Sequence, residues 1–438
     1  MTAGTPQGAT GAGGQMTVTN SSSRGDFLGE VFTTLWPQPP QRVRPWQARR
    51  QASAAPPGMA GPAAGRRRYA LVPSAAAPAV AVPLRPRRGA ASVLANYKAS
   101  ARGMARLRLR LLAALARLGA FELWPHQVVL PHPPPGAGSL ETFLAGELGH
   151  DVVASVYTSP PRANRKPVLQ LLDGSGRTFG YAKIGVNPLT TSLVAGEARA
   201  LGEMGRRSLS SVRVPSVVFH GDWQGLEILV QSALDVTASG HAPAGVLSAA
   251  MVEVCGDPDQ LTAVPAASNS YVDGLATRLD LVKTPRGQWL RSAVVSWVAA
   301  AGVDEQLRLG AWHGDWTPWN MAYDGRDLSV WDWERYEEGV PAGYDALHCA
   351  SQAVIMSREQ TPGDAVAALL GQAPALLAPF GLDAAAAERV CGLYLIELGA
   401  RYEGDGQEAA GARLGRLETW LLPVIADQVG LTLELVAR

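Results

Sequence analysis

Cysteine is scarce. Cys255, Cys349 and Cys391 are the only three in 438 residues, too few and too widely spaced for a disulfide framework or a zinc site, and they fit a reducing, cytoplasmic compartment. A surplus of charge is also lacking. Thirty-nine Lys and Arg against 38 Asp and Glu leave a formal +1, so attraction of the whole molecule to nucleic acid is not expected. No uncharged apolar run approaches the roughly 18 residues that a membrane span needs. The opening MTAGTPQGATGAGGQ has neither the basic nor the apolar region of a secretory signal. A soluble chain of two or three folding units is expected at this length.

Residues 1–65 are rich in Gly, Ala, Pro, Ser and Gln, and only the island FLGEVFTTLW interrupts them. They read as a disordered tail. The tripeptide Arg24–Asp26 (RGD) carries too little information to imply a function. Residues 66–135 read as an accessory segment in which YALVPS and AVAVPL form a hairpin and a helix covers 89–118. In that helix Met104, Leu107, Leu111, Leu115 and Leu118 recur at three- and four-residue spacing, while Arg102, Arg106, Arg110 and Arg117 line another side. No Asp or Glu lies between Arg66 and Arg117. Two readings stand: the helix makes a peripheral contact with anionic lipid or a phosphate-rich ligand, or its arginines solvate the outer side of a helix packed on the next domain. After the linker LPHPPPGAGS, strands gather early and helices late. The expected fold class is therefore α+β, with a small β-rich lobe over 140–234 and a larger helical lobe over 235–438.

The tetrapeptide HGDW occurs twice, at His220–Trp223 and at His313–Trp316. The first copy lies between VPSVVF and LEILVQ, two apolar runs that pair as a hairpin with HGDWQG at the turn. The second is followed by TPWN, the short run MAY, the turn DGRD and the returning run LSVWDW. This order can bring Asp315, Asn320 and Asp332 to one point. One carboxylate to orient a hydroxyl and accept its proton, beside an amide and a second carboxylate as hard ligands for Mg²⁺, suits phosphoryl transfer.

His-Gly-Asp with Asn five residues beyond the Asp, then Asp-Trp-Glu at 332–334, resembles the aminoglycoside phosphotransferase and choline kinase superfamily, relatives of the protein kinases. The resemblance implies a bilobal protein kinase-like fold and ATP-dependent (or GTP-dependent) transfer of a γ-phosphate to a hydroxyl acceptor. Asp315 would be the catalytic base, Asn320 and Asp332 the Mg²⁺ ligands, and Lys183 the phosphate-binding lysine held by Glu197. Gln231, Ser232, Ala233 and Leu234 would form the hinge whose backbone meets the nucleotide base. His313 would support the catalytic loop, and Asp345 would buttress it or cap a helix. Trp316 and Trp319 read as core rather than pocket wall, and acidic residues of the later helices, AAAAERVCGLYLIELGARY among them, would touch the acceptor.

Two departures from the family pattern matter. The loop SPPRANRKP, between the first two lobe strands, has no glycine with which to wrap phosphates, so Arg162, Asn164, Arg165 and Lys166 would have to act through side chains. The span from Asp332 to Asp345 is too short for an activation segment, which favours a small molecule or glycan over a protein as acceptor. A pseudokinase that binds nucleotide without turnover is the alternative.

Overall fold

The computed structural model describes residues 23–36, 38–43, 67–97, 103–131, 138–236, 242–302 and 304–433. Ser23 starts the first helix, α1 (Arg24–Leu35), by accepting the Asp26 N–H on its hydroxyl at 3.2 Å. Phe27, Leu28, Val31, Phe32, Leu35 and Trp36 follow at helical spacing, and all are buried. This corrects the expectation of a disordered tail at 23–36. The apolar island is long enough to give a helix one complete buried face, and the RGD tripeptide is simply its first turn. Of the remaining residues up to 65, only 38–43 are described, and they include strand β1 (Gln41–Val43).

The expected hairpin is present as β2 (Arg67–Val72) and β3 (Val80–Pro83), with Tyr69 opposite Pro83 and Val72 opposite Val80. The expected single helix is not. It is divided into α2 (Arg87–Asn96) and α3 (Gly103–Arg117), because Tyr97 takes an extended conformation with φ −61° and ψ 120°. Then come β4 (Gln127–Leu130), α4 (Leu140–Leu148), β5 (Val153–Tyr157), β6 (Val168–Leu172), β7 (Thr178–Gly185), α5 (Pro188–Met204), β8 (Val212–Arg213), β9 (Val217–Trp223) and β10 (Leu226–Ser232).

Nine of these strands form one sheet in the order β1-β4-β2-β3-β5-β6-β7-β10-β9. Val80 pairs with Tyr157 and Ala81 with Val156, so the accessory hairpin continues the lobe sheet without a break at the 130–139 linker. The two-residue period of the strands divides their side chains between two cores. Tyr69, Leu71 and Ala81 face α1 and α4, whereas Ala70, Val72, Val80 and Val82 face α2 and α3.

The second half of the chain is α6 (Ala244–Cys255), β11 (Thr262–Pro265), α7 (Ser270–Leu281), α8 (Pro285–Ala300), β12 (Gln306–Trp312), β13 (Met321–Tyr323), β14 (Leu328–Val330), β15 (Glu337–Pro341), α9 (Tyr344–Ser357), α10 (Pro362–Leu377), α11 (Ala384–Asp405) and α12 (Leu422–Val429). Its strands make two small sheets, β11-β12-β15 and β13-β14-β8. The α+β class is as expected. Helix α5 joins the core of this half through Val194, Ala198 and Leu201, which carries its glutamate to the junction with the large sheet. Among the described residues one segment, Pro362–Phe380, is long and apolar enough to cross a membrane by length and composition, where the sequence led us to expect none. Its Val366, Leu369, Ala373 and Leu377 are buried in the core.

Candidate active site

Lys183 lies in β7, opposite Val168 of β6 and Leu229 of β10. Glu197 is brought to it by α5, whose start is fixed by an Asn187–Thr190 capping box with Pro188 in the first turn. The Lys183 ammonium lies 2.7 Å from both Glu197 carboxylate oxygens and also pairs with Asp332. Burial works to lower the lysine pKa, but Asp332 and Glu197 outweigh it and hold the ammonium above its ordinary value. Asp332 is one of three non-glycine residues with positive φ, at 75°, among the described residues. Its neighbours fix that strained turn: Trp331 N–H donates to Asn320 O at 3.0 Å, and Trp333 N–H donates to Glu197 Oε1 at 3.2 Å. Burial would raise the Asp332 carboxyl, yet Lys183 and Lys166 bring it well below the usual carboxylate range.

The loop that begins at the end of β12 is held from three sides. Asp345, in the first turn of α9, accepts the His313 N–H at 2.6 Å and the Gly314 N–H at 3.1 Å. It therefore buttresses the loop, while the N-cap position of α9 is Gly343. Burial pushes the Asp345 carboxyl up to about 7, against the two donors that favour its charged form. His313 is fully buried. Its Nδ1 accepts the Asp315 N–H at 3.1 Å, which leaves Nε2–H to donate to Trp331 O at 3.1 Å and to tie the loop to the Asp332 turn. Burial lowers this imidazole to about 4, so it is neutral.

Asp315 is the one member of the loop whose carboxylate reaches the open: about a third of its side chain is exposed. Asn320 Nδ2 donates to its backbone oxygen and to Oδ2, both at 2.9 Å. His348 of α9 donates Nε2–H to Oδ1 at 3.1 Å and accepts the Tyr394 O–H on Nδ1 at 2.9 Å. Burial keeps His348 below the usual imidazole value, consistent with a neutral donor. Burial also acts to raise Asp315, but its bond to His348 and the charge of Arg401 leave it below the ordinary carboxylate value.

A cavity of about 380 Å³ opens beside Lys183 and Asp332. Arg162 and Lys166, two of the four side chains singled out in the glycine-free loop, line it. The other two hold the loop. Asn164 donates to Glu334 at 3.0 Å beside the Lys166–Glu334 ion pair, and the buried Arg165 guanidinium lies 3.7 Å over the ring of Phe27 in α1. A segment read as a disordered tail therefore secures the loop.

At the far end of the cavity lie Gln231, Ser232 and Leu234 of the expected hinge. The backbone donors of Ser232 and Ala233 are already taken, by Ser216 O at 2.8 Å and Phe179 O at 3.0 Å. Gln231 instead presents a side chain: its Oε1 is buried with no hydrogen-bond partner among the described residues. Trp316 is fully buried, as expected, but Trp319 is 38% exposed and lines the cavity. Tyr97 and Asn96, at the end of α2, line it too. Tyr97 stacks on Tyr157 with centroids 5.8 Å apart, and Tyr157 stacks on Tyr181 at 6.5 Å.

His348, Arg401, Glu334 and Tyr97 are the residues here that the sequence reading did not single out. His348 lies three residues after Asp345, one helical turn on, and that spacing could have found it. The others depend on tertiary contacts. Of the acidic residues of α11, Glu397 is bound to Arg278 and Tyr271, and Glu403 to Arg286. What α11 brings to the loop is Arg401, donating to Gly314 O. The first HGDW lies at the β9 edge of the sheet, two strands from β7, with Leu229 of β10 paired to Lys183 on one side and to His220 on the other.

No family model matches the sequence, and no curated protein does. Among solved structures the chain is similar to an aminoglycoside phosphotransferase in complex with ADP and hygromycin B, at 13% identity over 67% of this chain and 96% of that one, with a TM-score of 0.40. It is also similar to an aminoglycoside phosphotransferase from Streptomyces rimosus in complex with ADP and streptomycin, at 16% identity over 53% and 90% of the two chains and a TM-score of 0.33. A choline/ethanolamine kinase family protein from Mesorhizobium loti matches at 14% identity over 60% and 84%, with a TM-score of 0.34. In this chain a strand lysine paired with a helix glutamate, a His-Gly-Asp loop with its asparagine, and Asp-Trp-Glu after a short hairpin follow one another in that order.

Proposed function

We propose that this chain transfers the γ-phosphate of ATP, or of GTP, to a hydroxyl of a small molecule or glycan. The observation that carries this reading is the set of Lys183–Glu197 and Lys183–Asp332 ion pairs beside one cavity, with a hydrogen-bonded Asp315, about a third exposed, on the loop that Asn320 ends. The nucleotide base would lie toward Gln231 and the tyrosine stack, with the unpartnered Gln231 Oε1 as an acceptor for an amino group. Arg162, Lys166 and Lys183 would hold the phosphates through charge, replacing the backbone cradle that a glycine-rich loop supplies.

The acceptor hydroxyl would hydrogen-bond to Asp315, which orients it and takes its proton as the oxygen bonds to the γ-phosphorus and the bond to the β-phosphate oxygen breaks. His348 and Asn320 donate to the two Asp315 oxygens, so the carboxylate stays ionised and fixed in orientation. The donor set fits a hard cation: Asp332 presents a carboxylate to the cavity, and Asn320, with its amide nitrogen bound to Asp315, has its carbonyl oxygen for a ligand. Mg²⁺ held there would neutralise charge on the phosphates.

Two measurements test the two parts. ATP with Mg²⁺ should raise the melting temperature of the wild type and much less that of Asp332→Ala, and a panel of hydroxylated acceptors should reveal ADP release. Equal shifts in the two proteins would remove Asp332 from the metal site. Binding without ADP release on any acceptor would favour the pseudokinase reading, which the glycine-free loop supports.

A further inference from the structure

The apolar stripe of α3 faces the solvent. Met104, Leu107, Leu111, Leu115 and Leu118 are 47–78% exposed, whereas the opposite side of the helix, Leu112, Ala113 and Ala116, packs on Val93 and Leu94 of α2. This reverses the bland reading, in which the leucines are inside and the arginines outside. With Leu123, which follows one turn later, these are six of the twelve large exposed apolar side chains among the described residues. Met104, Leu107, Leu111 and Leu115 form one strip along a helix of 15 residues, about 22 Å long at the usual rise, and Leu118 follows directly at its end. A soluble surface gains nothing by concentrating them so.

Charge identifies what covers the strip. At 100° per residue Arg108 borders one side of it, and Arg110 and Arg117 border the other. All three are exposed, and none forms an ion pair among the described residues, whereas Arg67 is paired with Glu141, and Arg85 and Arg87 with Glu122. No acidic residue lies anywhere between Arg66 and Arg117. A second copy of the same face would set arginine against arginine, so self-association is opposed. A bilayer rich in anionic phospholipid offers acyl chains to the stripe and phosphates to its flanks at the same depth.

We propose that α3 docks the protein on an anionic membrane surface, lying in the plane of the interface with Met104–Leu118 inserted and Arg108, Arg110 and Arg117 among the headgroups. Because α3 packs on α2, and α2 ends at Tyr97 in the cavity wall, docking places the proposed active site at the membrane.

The full chain is sedimented with sucrose-loaded vesicles of phosphatidylcholine alone or with a third of phosphatidylserine. Binding should be at least tenfold tighter on the anionic vesicles and should fall steeply between 50 and 300 mM salt. Changing Leu107, Leu111 and Leu115 together to Gln should abolish it while leaving the melting temperature and the MgATP-induced shift as in wild type. Arg108, Arg110 and Arg117 changed to Gln should erase the preference for phosphatidylserine. Failure to sediment, equal binding to both vesicles, or unchanged binding of the leucine variant overturns the proposal. So does sedimentation velocity showing a vesicle-free dimer that the leucine variant loses, which would assign the stripe to a second copy.

Discussion

The two HGDW stretches have the same four side chains and almost nothing else in common. In the first, the letters end strand β9, and the turn itself is made by Gln224 and Gly225, both at positive φ, one step later than the sequence suggests. There His220 is exposed and pairs across the hairpin with Glu227 at 2.6 Å, and Asp222 accepts the Gly225 N–H at 3.1 Å. Every one of those contacts is local. In the second, the letters are engaged by distant residues: His313 by Trp331, Gly314 by Asp345 and Arg401, and Asp315 by His348. A tetrapeptide thus acquires chemistry from the polar groups that fold onto it rather than from its own composition.

The comparison breaks most visibly at the aspartates. Asp315→Asn keeps size and most hydrogen bonding but removes the charge that would accept the proton, so kcat on any phosphorylated acceptor should fall by about 10²-fold or more with little change in ATP affinity. Asp222→Asn leaves an acceptor for the Gly225 N–H and should stay within a few-fold of wild type. Activity that survives in the first variant and vanishes in a well-folded second would mean that the wrong copy has been given the chemistry.

The glycines sharpen the contrast through stability. Gly314 has φ 82°, and a Cβ there would run into the Arg335 carbonyl as well as the Arg335 Cβ at 2.6 Å. Strain of the left-handed backbone and overpacking against a fixed peptide should together cost Gly314→Ala about 3 kcal/mol or more. Gly221 lies in extended strand, and its Cβ would meet only the far end of the Phe219 ring at 3.1 Å, which can swing aside. Urea unfolding of the two variants should separate them by several-fold in lost stability. Equal losses would show that the second loop yields as easily as a surface strand.

How much of this was legible in the sequence follows from the same distinction. Asp315, Asn320 and Asp332 could be singled out because they lie in a loop between short strand runs, and the family resemblance then pointed to Lys183 in a strand run and Glu197 in the helical run after it. The paired strands and the late helices were readable from local pattern too. What could not be read are positions decided by residues far apart in the chain. Phe27 holds Arg165 across 138 residues of sequence, and Tyr97 reaches the cavity only because β3 pairs with β5. Helix α1 was hidden in a segment whose average composition signals disorder, and an average over 65 residues conceals a 12-residue helix.

The histidines give the smallest effect, and it appears as a pH dependence. His313 is lowered to about 4 by burial, from an ordinary 6.5. The folded state therefore binds fewer protons there than the unfolded state, so the contribution of a neutral His313 is complete above pH 6.5 and is lost as pH falls from there toward 4. His348, also lowered, acts in the same direction. Asp345 opposes them: raised to about 7, it contributes fully below its unfolded value and loses that contribution as pH rises through 7. The wild-type curve alone mixes these terms, so the useful quantity is the difference in unfolding free energy between wild type and His313→Gln, whose amide can still donate to Trp331 O. Between pH 7 and pH 5 that difference should shrink by about 2 kcal/mol, because only the wild type has a buried imidazole that resists protonation. Parallel curves across this interval would mean that His313 is no harder to charge inside the loop than in the unfolded chain, and that the second HGDW is more open to water than its burial implies.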